Sequence, residues 1–160
     1  MGLLDKIGFC IDEEMVGTHR FEPGFGPSGG QSFMFKVSWG TSSFRQWLLF
    51  GDNFLTSGLI GTITARGLCA DTPCAGTLAL RYFSERRLRY EFTFLAKERV
   101  YRFVGEKVNI RPWNLPVSHT TCFGRITDVA TGQLISTALV FFRLRDIPRF
   151  LRSFRLTLSK

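Results

Sequence analysis

Strict alternation of apolar and polar side chains in the middle of the chain is the feature that most limits its fold. In LRYEFTFL (88–95) the even positions hold Leu, Tyr, Phe and Phe, and charged or polar residues stand between them. A period of two is typical of a β-strand with one buried side. After the turn AKER, VYRFVGEKV (100–108) resumes the pattern. The two segments therefore predict an antiparallel hairpin.

Other segments with strand character follow one another along the chain. Short connections separate several of them, with turn residues at positions 51–53, 71–73 and 130–132. The segments are SFMFKVSW (32–39), SFRQWLLF (43–50), GLIGTITARG (58–67), AGTLALRYF (75–83), VSHTTCFGRIT (117–127) and GQLISTALVFFRLR (132–145). No helical segment long enough for a parallel crossover stands between them, so we predict an up-and-down antiparallel meander of about eight strands.

A meander of this kind has two edges that need protection. Closure into a barrel removes both edges, and about eight strands enclose an interior wide enough for one small ligand. Gly58, Gly61, Gly76 and Gly124 stand in or beside predicted strands, where they fit the tight bends of a closed barrel. We therefore predict an all-β, up-and-down antiparallel barrel. A sandwich of two sheets is the alternative, and the lack of long crossover loops speaks against it.

Both termini of this single domain (1–160) carry distinctive segments. Residues 1–30 form an N-terminal segment that ends in EPGFGPSGG (22–30), a loop that serves either as a linker or as a ligand gate. At the other terminus, RDIPRFLRSFRLTLSK (145–160) places apolar residues at helical spacing, with arginines on other faces. We predict a short amphipathic helix over 146–158 that packs against the barrel. Contact with an anionic membrane surface is the weaker alternative, because so few turns make a poor anchor.

Composition limits the partners and the compartment. A formal charge of +8 favours acidic partners. Aromatic residues interleave with arginines in RYFSERRLRYEF (81–92), but the period-two pattern points the aromatic side chains inward. We therefore do not expect them to stack on nucleic-acid bases. The N-terminal residues do not form a secretory signal, and no apolar run approaches the roughly 20 residues of a membrane span. Four cysteines make no dense disulfide pattern. These features predict a cytoplasmic protein.

Few residues are candidates for chemistry. His119 falls in a predicted strand, where it would orient a ligand, bind haem or act as a base, although a hydrogen-bonded structural histidine is commoner. Glu106 is the alternative base, although its neighbour Lys107 makes a solvated surface pair the usual interpretation. Cys69 and Cys74 lack a second Cys/His pair at zinc-binding spacing, so we expect no metal site; their proximity permits a disulfide in oxidising conditions. No phosphate loop, nucleophile elbow or dinucleotide fingerprint is present; we expect no cofactor and leave enzymatic activity open.

Three segments carry a resemblance to a known family, namely GEKVNIRP (105–112), SHTTCFGRI (118–126) and LRDIPRFLRSFRL (144–156). They resemble a small bacterial calycin-like module that is associated with cholesterol-oxidase-like flavin oxidoreductases of the glucose–methanol–choline class. The resemblance implies a lipocalin-like barrel with a C-terminal helix and a role near lipid or steroid metabolism. It implies no catalysis, because the chain has no flavin-binding domain. The resemblance also implies that the matching positions fix the barrel rim and the helix. These positions are Glu106, Lys107, Arg111, Thr120, Thr121, Asp146, Pro148 and Phe154.

These observations favour a barrel that binds an apolar or amphipathic small molecule, such as a fatty acid or a sterol-like lipid. Burial of apolar surface contributes about 25 cal/mol per Å², and a few polar groups fix the orientation of the ligand. The predicted ligand-binding residues are Tyr90, Phe92, Phe94, Tyr101 and Phe103, with His119 and Arg125 as polar contacts. One alternative is a barrel filled by its own side chains whose surface contacts a partner protein. The other is a small barrel enzyme that uses His119 or Glu106 as acid or base.

Overall fold

The computed structural model describes residues 2–49, 51–81, 83–108 and 120–159. The strands are β1 (Ile7–Phe21), β2 (Gln31–Thr41), β3 (Thr56–Ala65), β4 (Cys69–Arg81), β5 (Arg87–Ala96), β6 (Arg99–Lys107), β7 (Thr121–Asp128), β8 (Leu134–Phe141) and β9 (Arg155–Leu158). The short helices are α1 (Leu3–Lys6), α2 (Phe44–Leu48) and α3 (Ile147–Arg152), and a 3₁₀ turn, Leu144–Asp146, leads into α3.

Strands β1 to β8 form a closed barrel. Each pairs antiparallel with its neighbours in sequence, and β1 pairs with both β2 and β8, which joins the two ends of the sheet. The predicted all-β, up-and-down barrel of eight strands is confirmed. The predicted hairpin is present as β5 and β6, in which Phe92 pairs with Phe103. Its two-residue turn has positive φ at both Lys97 and Glu98, as a tight hairpin requires.

The connections divide between the two ends of the barrel. The β1–β2 loop (22–30) and the short turns after β3, β5 and β7 lie at one end, which we call the turn end. The longer connections after β2, β4 and β8 lie at the other end, which we call the helix end because it carries α2 and α3. The Gly/Pro-rich loop therefore lies at the end of the barrel opposite α3.

Inward-facing aromatic side chains fill the middle of the barrel. The rings of Phe92 and Phe103 stack with centroids 4.9 Å apart, and Phe35 meets Phe92 at 5.4 Å. The Phe103 ring lies over the paired residues Gly105 and Gly124, where any Cβ would collide with it. This part of the interior is packed by the protein's own side chains, as a folded core must be.

Two segments do not have the structure that we predicted, a strand at 43–50 and a turn at 71–73. Residues 43–50 were expected to form a strand, but α2 begins at Phe44, because the Ser43 hydroxyl accepts a hydrogen bond from the Gln46 N–H at 3.3 Å. Ser-x-x-Gln is a helix-capping pattern, and it overrides the apolar alternation here. The turn expected at 71–73 lies inside β4, and the chain reverses instead at 66–68, where Gly67 has a φ of +88°.

The two termini of the chain also correct the prediction. The C-terminal helix is confirmed, but it ends at Arg152, and residues 155–158 form β9 rather than the last helical turn. Strand β9 pairs with the first part of β1, Ile7 to Cys10. In the N-terminal segment, residues 7–21 form β1, a strand that we did not predict.

Strand β1 shares one of its edges between two partners. β8 pairs with its second half from Val16 onward, and β9 pairs with its first four residues. Within the described part of the chain, residues 11–15 have no strand partner on this edge. The segment that contains α3 crosses this interval, and the Ser153 hydroxyl accepts a hydrogen bond from the Asp12 N–H at 2.9 Å.

Candidate functional site

A cavity of about 640 Å³ lies at the helix end of the barrel, between the packed aromatic core and α3. Aliphatic and aromatic side chains form most of its wall. They come from the strands (Leu78, Leu80 and Leu88) and from the C-terminal segment (Phe142, Leu144, Ile147, Phe150 and Leu151). A space of this size and character is typical of a site for a small apolar molecule.

One buried carboxylate, that of Glu13, stands in the wall of this cavity. The Tyr90 hydroxyl donates to both of its oxygens at 2.9 Å, and the Trp39 indole N–H donates to Oε2 at 3.2 Å. The Lys107 ammonium donates to Oε1, also at 3.2 Å. Side chains from three strands, β2, β5 and β6, therefore converge on a carboxylate that β1 provides.

Lys107 is buried as deeply as its partner. Its side chain is 4% exposed and that of Glu13 is 6% exposed. Its Nζ lies 5.3 Å from the centroid of the Tyr90 ring, a cation–π distance. Removing each charge from water costs several kcal/mol, and only close pairing with further hydrogen bonds offsets that cost. The hydrogen bonds from Tyr90 and Trp39 to Glu13 provide this compensation.

The positions of both charged residues follow from the period-two pattern. Glu13 stands between the buried residues Ile11 and Met15 on β1, and Lys107 continues the inward series Tyr101, Phe103 and Gly105 on β6. Our sequence interpretation paired Lys107 with its chain neighbour Glu106 as a surface pair, and it did not consider Glu13 or Trp39. The alternation around Lys107 was the signal that could have placed it inside.

The aromatic residues predicted to bind a ligand all face the barrel interior, at different depths. Tyr90 lines the cavity. The other four, Phe92, Phe94, Tyr101 and Phe103, are buried, and the cavity wall does not include them. Phe94 and Tyr101 stack on each other at 5.7 Å between ring centroids, next to the β5–β6 turn. These four side chains form the packed core beneath the cavity.

Two of the polar residues singled out from the sequence, Arg125 and Glu106, do not line the cavity. Arg125 was expected to contact the ligand, but its side chain is exposed on the outer face, because its inward neighbours on β7 are Gly124 and Ile126. Glu106 also faces outward, where Arg87 and Arg89 each hold its carboxylate at 3.3 Å. His119 and Arg111 lie outside the described residues. Thr120, which the resemblance implied, lines the cavity.

The second histidine, His19, is buried away from the cavity wall. Its Nδ1 lies 2.7 Å from the Ser136 hydroxyl, and its Nε2 lies 3.0 Å from the Arg66 carbonyl oxygen. Because a carbonyl only accepts, Nε2 carries the proton and donates. Burial lowers the pKa of His19, and the hydrogen bond to Arg66 opposes that shift in part. Both ring nitrogens have protein partners, so His19 has a structural role.

The cysteines are free thiols in the structure. Burial raises the pKa of Cys74 to about 11 and that of Cys122 to about 12, so neither is a reactive thiolate at neutral pH. Among the described residues, no three His, Cys, Asp or Glu side chains form a group that could hold a metal ion. In the same part of the chain, no helix has the length and apolar character needed to cross a membrane.

Ion pairs attach the C-terminal segment to the outside of β1. The Glu14 carboxylate, which faces away from the cavity, lies 2.8 Å from Arg143 and 3.3 Å from Arg149. Arg143 also pairs with Asp146 in the 3₁₀ turn. These contacts hold α3 in place while its apolar residues Ile147, Phe150 and Leu151 line the cavity.

No protein-family model, no curated protein and no solved structure matches this chain. The closed barrel of eight antiparallel strands is compatible with a calycin-like fold. The geometry of the cavity is therefore the basis for any statement about function.

Proposed function

We propose that this protein binds an apolar or amphipathic small molecule, such as a fatty-acid-like or sterol-like lipid, in the cavity under α3. The observation that carries the proposal is the combination of a space of about 640 Å³ with a wall that is mostly apolar and has the Glu13–Lys107 pair as its charged groups among the described residues. Small-molecule sites have volumes of about 300–1,000 Å³ and few polar groups.

The position of the cavity supports the same proposal. It lies at the end of the barrel that α3 covers, so a bound molecule would be shielded by Ile147, Phe150 and Leu151 on one side and by the strands on the other. Each Å² of apolar ligand surface that leaves water contributes about 25 cal/mol. A helix that lines the cavity in this way also favours the packing role of the C-terminal segment over contact with a membrane surface.

The alternatives have less support in the structure. A barrel filled by its own side chains, acting through a partner protein, fits the packed core but not the open space above it. An enzyme that uses Glu106 as acid or base has no support from the geometry, because Arg87 and Arg89 hold that carboxylate on the outer face. Contact with a partner protein through the basic surface remains part of the proposal.

Two further parts of the proposal depend on the sequence. A link to bacterial flavin oxidoreductases of lipid or steroid metabolism rests on the resemblance of three segments. A reducing, cytoplasmic environment is supported by the four thiols, all of them free in the structure.

Two substitutions on β5 test the site. Leu88 faces the cavity and Leu95, on the same strand, is 62% exposed on the outer face. Leu88→Trp should fill the cavity and abolish binding of an apolar dye such as Nile red, whereas Leu95→Trp should leave binding unchanged. Native mass spectrometry of the purified wild type should show a co-purified small molecule or binding from a lipid panel. A wild-type protein that binds neither the dye nor any lipid in the panel overturns the proposal.

A further inference from the structure

We infer that the ligand is electrically neutral and carries an oxygen-bearing group, a hydroxyl or a carbonyl, that reaches the Glu13–Lys107 pair. This inference rests on the proposed function, because it names the chemical class of molecule that the same cavity would accept. The proposed function does not distinguish neutral alcohols or sterols from ionised fatty acids. This inference favours the neutral class.

The first step concerns charge. Glu13 and Lys107 together carry no net charge, and their side chains are almost completely buried at 6% and 4% exposure. An ionised carboxylate placed here would add a second anion next to one cation, with little water to screen the repulsion from Glu13. An amine would add a second cation beside Lys107. Among the described residues of the cavity wall, no further charged group would compensate either charge, and an uncompensated charge in an apolar site is costly. A neutral molecule adds no such cost.

The second step concerns hydrogen-bonding capacity. Three protein groups, from Tyr90, Trp39 and Lys107, already donate to the Glu13 carboxylate. An ammonium has three N–H donors, and among the described residues Lys107 donates one hydrogen bond, to Glu13 Oε1 at 3.2 Å. Lys107 also belongs to the cavity wall. The cavity therefore offers a ligand a buried donor, which a hydroxyl or carbonyl oxygen can accept without bringing a charge.

The third step concerns orientation. The charged pair stands on strands β1 and β6, and Tyr90 beside it marks the boundary with the packed aromatic core. The C-terminal segment contributes Leu144, Ile147, Phe150 and Leu151 to the apolar part of the wall. A bound molecule would thus place its oxygen toward the barrel interior and its hydrocarbon body beneath α3.

A matched set of ligands tests the inference on the wild-type protein. Dodecanol, dodecanoate and dodecylamine share one hydrocarbon chain and differ in the charge of the polar group. In displacement of Nile red at neutral pH, we expect dodecanol to bind at least about tenfold more tightly than either charged molecule, a difference that corresponds to about 1.4 kcal/mol. If dodecanoate or dodecylamine binds as tightly as dodecanol, the inference is overturned and the proposed function stands. If none of the three binds but the dye or a lipid of the panel does, the inference is overturned; if neither the dye nor any lipid binds, the proposed function itself fails.

Substitutions of the pair test the cause of the preference. Glu13→Gln leaves Lys107 as a lone cation and should shift the preference toward dodecanoate, whereas Lys107→Met leaves a lone anion and should shift it toward dodecylamine. The matched control is Glu106→Gln, next to Lys107 on the outer face, which should leave the wild-type order unchanged. A Glu13→Gln protein that folds and still prefers dodecanol as strongly as the wild type contradicts the charge argument.

Discussion

The Glu13 carboxylate lies 3.2 Å from the Lys107 ammonium, although their strands, β1 and β6, are not neighbours in the barrel. The ion pair therefore crosses the interior and joins two separated parts of the wall. Tyr90 and Trp39 add hydrogen bonds from two further strands. This arrangement separates the packed aromatic core from the cavity, and it concentrates the polar character of the cavity at one place.

Breaking this pair should strongly destabilise the protein. Lys107→Met leaves the Glu13 carboxylate buried without its cation, and we expect a loss of about 3–5 kcal/mol in the free energy of unfolding. The double variant Glu13→Gln/Lys107→Met should recover part of the loss, because it leaves no unpaired charge. Urea unfolding of the single and double variants measures both effects. A loss below about 1 kcal/mol for Lys107→Met, as for an exposed pair, would show that the pair is not buried in solution.

Gly124 should tolerate no side chain. A Cβ at this position would lie 2.3 Å from the Phe103 ring, which is fully buried and cannot move aside. We expect Gly124→Ala to destabilise the protein by about 1–3 kcal/mol, as overpacking does in other cores. The control is Gly58→Ala on β3, where a Cβ would meet no atom within 4 Å. In thermal unfolding, the melting temperature of Gly124→Ala should be well below that of Gly58→Ala. Equal melting temperatures would contradict the close contact between Gly124 and the Phe103 ring.

Stability should fall in mild acid partly because of His19. Burial lowers the pKa of His19 in the folded state, so the unfolded chain, with a histidine pKa of about 6.5, binds more protons below that pH. The contribution of neutral His19 to the free energy of unfolding is fully present above pH 6.5. It is lost as the pH falls toward the folded-state pKa. We expect His19→Gln to flatten the dependence of the unfolding free energy on pH just below 6.5. Urea titrations across this range measure the slope, and an unchanged slope would assign the effect to other groups.

Glu14 should control how firmly α3 is held. Glu14→Gln removes the charge that pairs with Arg143 and Arg149, so the C-terminal segment should open more often. Hydrogen-exchange mass spectrometry of peptides that cover residues 143–154 should show up to about tenfold faster exchange, equivalent to about 1.4 kcal/mol. Glu85→Gln, which removes the pair with Arg81 at the same end of the barrel, is the control and should leave this region unchanged. Equal protection in both variants would show that the Glu14 charge is not needed to hold α3.

Much of the fold could be predicted from the sequence because inside and outside alternate along each strand. The alternation predicted the β5–β6 hairpin and the inward face of Tyr90, and the need to protect the two edges of the meander predicted its closure. It failed at residues 43–50, where the Ser43 cap starts α2 despite an apolar pattern. It also gave no prediction for residues 7–21, since acidic residues interrupt the apolar series there.

The candidate site was harder to predict, because it depends on a contact between residues that are far apart in the chain. Glu13 and Lys107 are separated by 94 positions, and each alone looks like a surface residue. Only the register of the closed barrel places them side by side. The same pattern that we used for Tyr101 and Phe103 would have placed Lys107 inside, and a buried lysine requires a buried partner.

The interval on β1 between its two edge partners makes the two ends of the barrel mechanically unequal. At the turn end, any expansion must rupture the ladder between β1 and β8, which runs from Val16 to Phe21. At the helix end, residues 11–15 of β1 face the segment that contains α3, which is attached there by side-chain contacts. The wall can therefore open at this interval without breaking the ladder between β1 and β8. Thermal opening of the barrel should therefore be larger at the helix end, beside Glu13, than at the turn end.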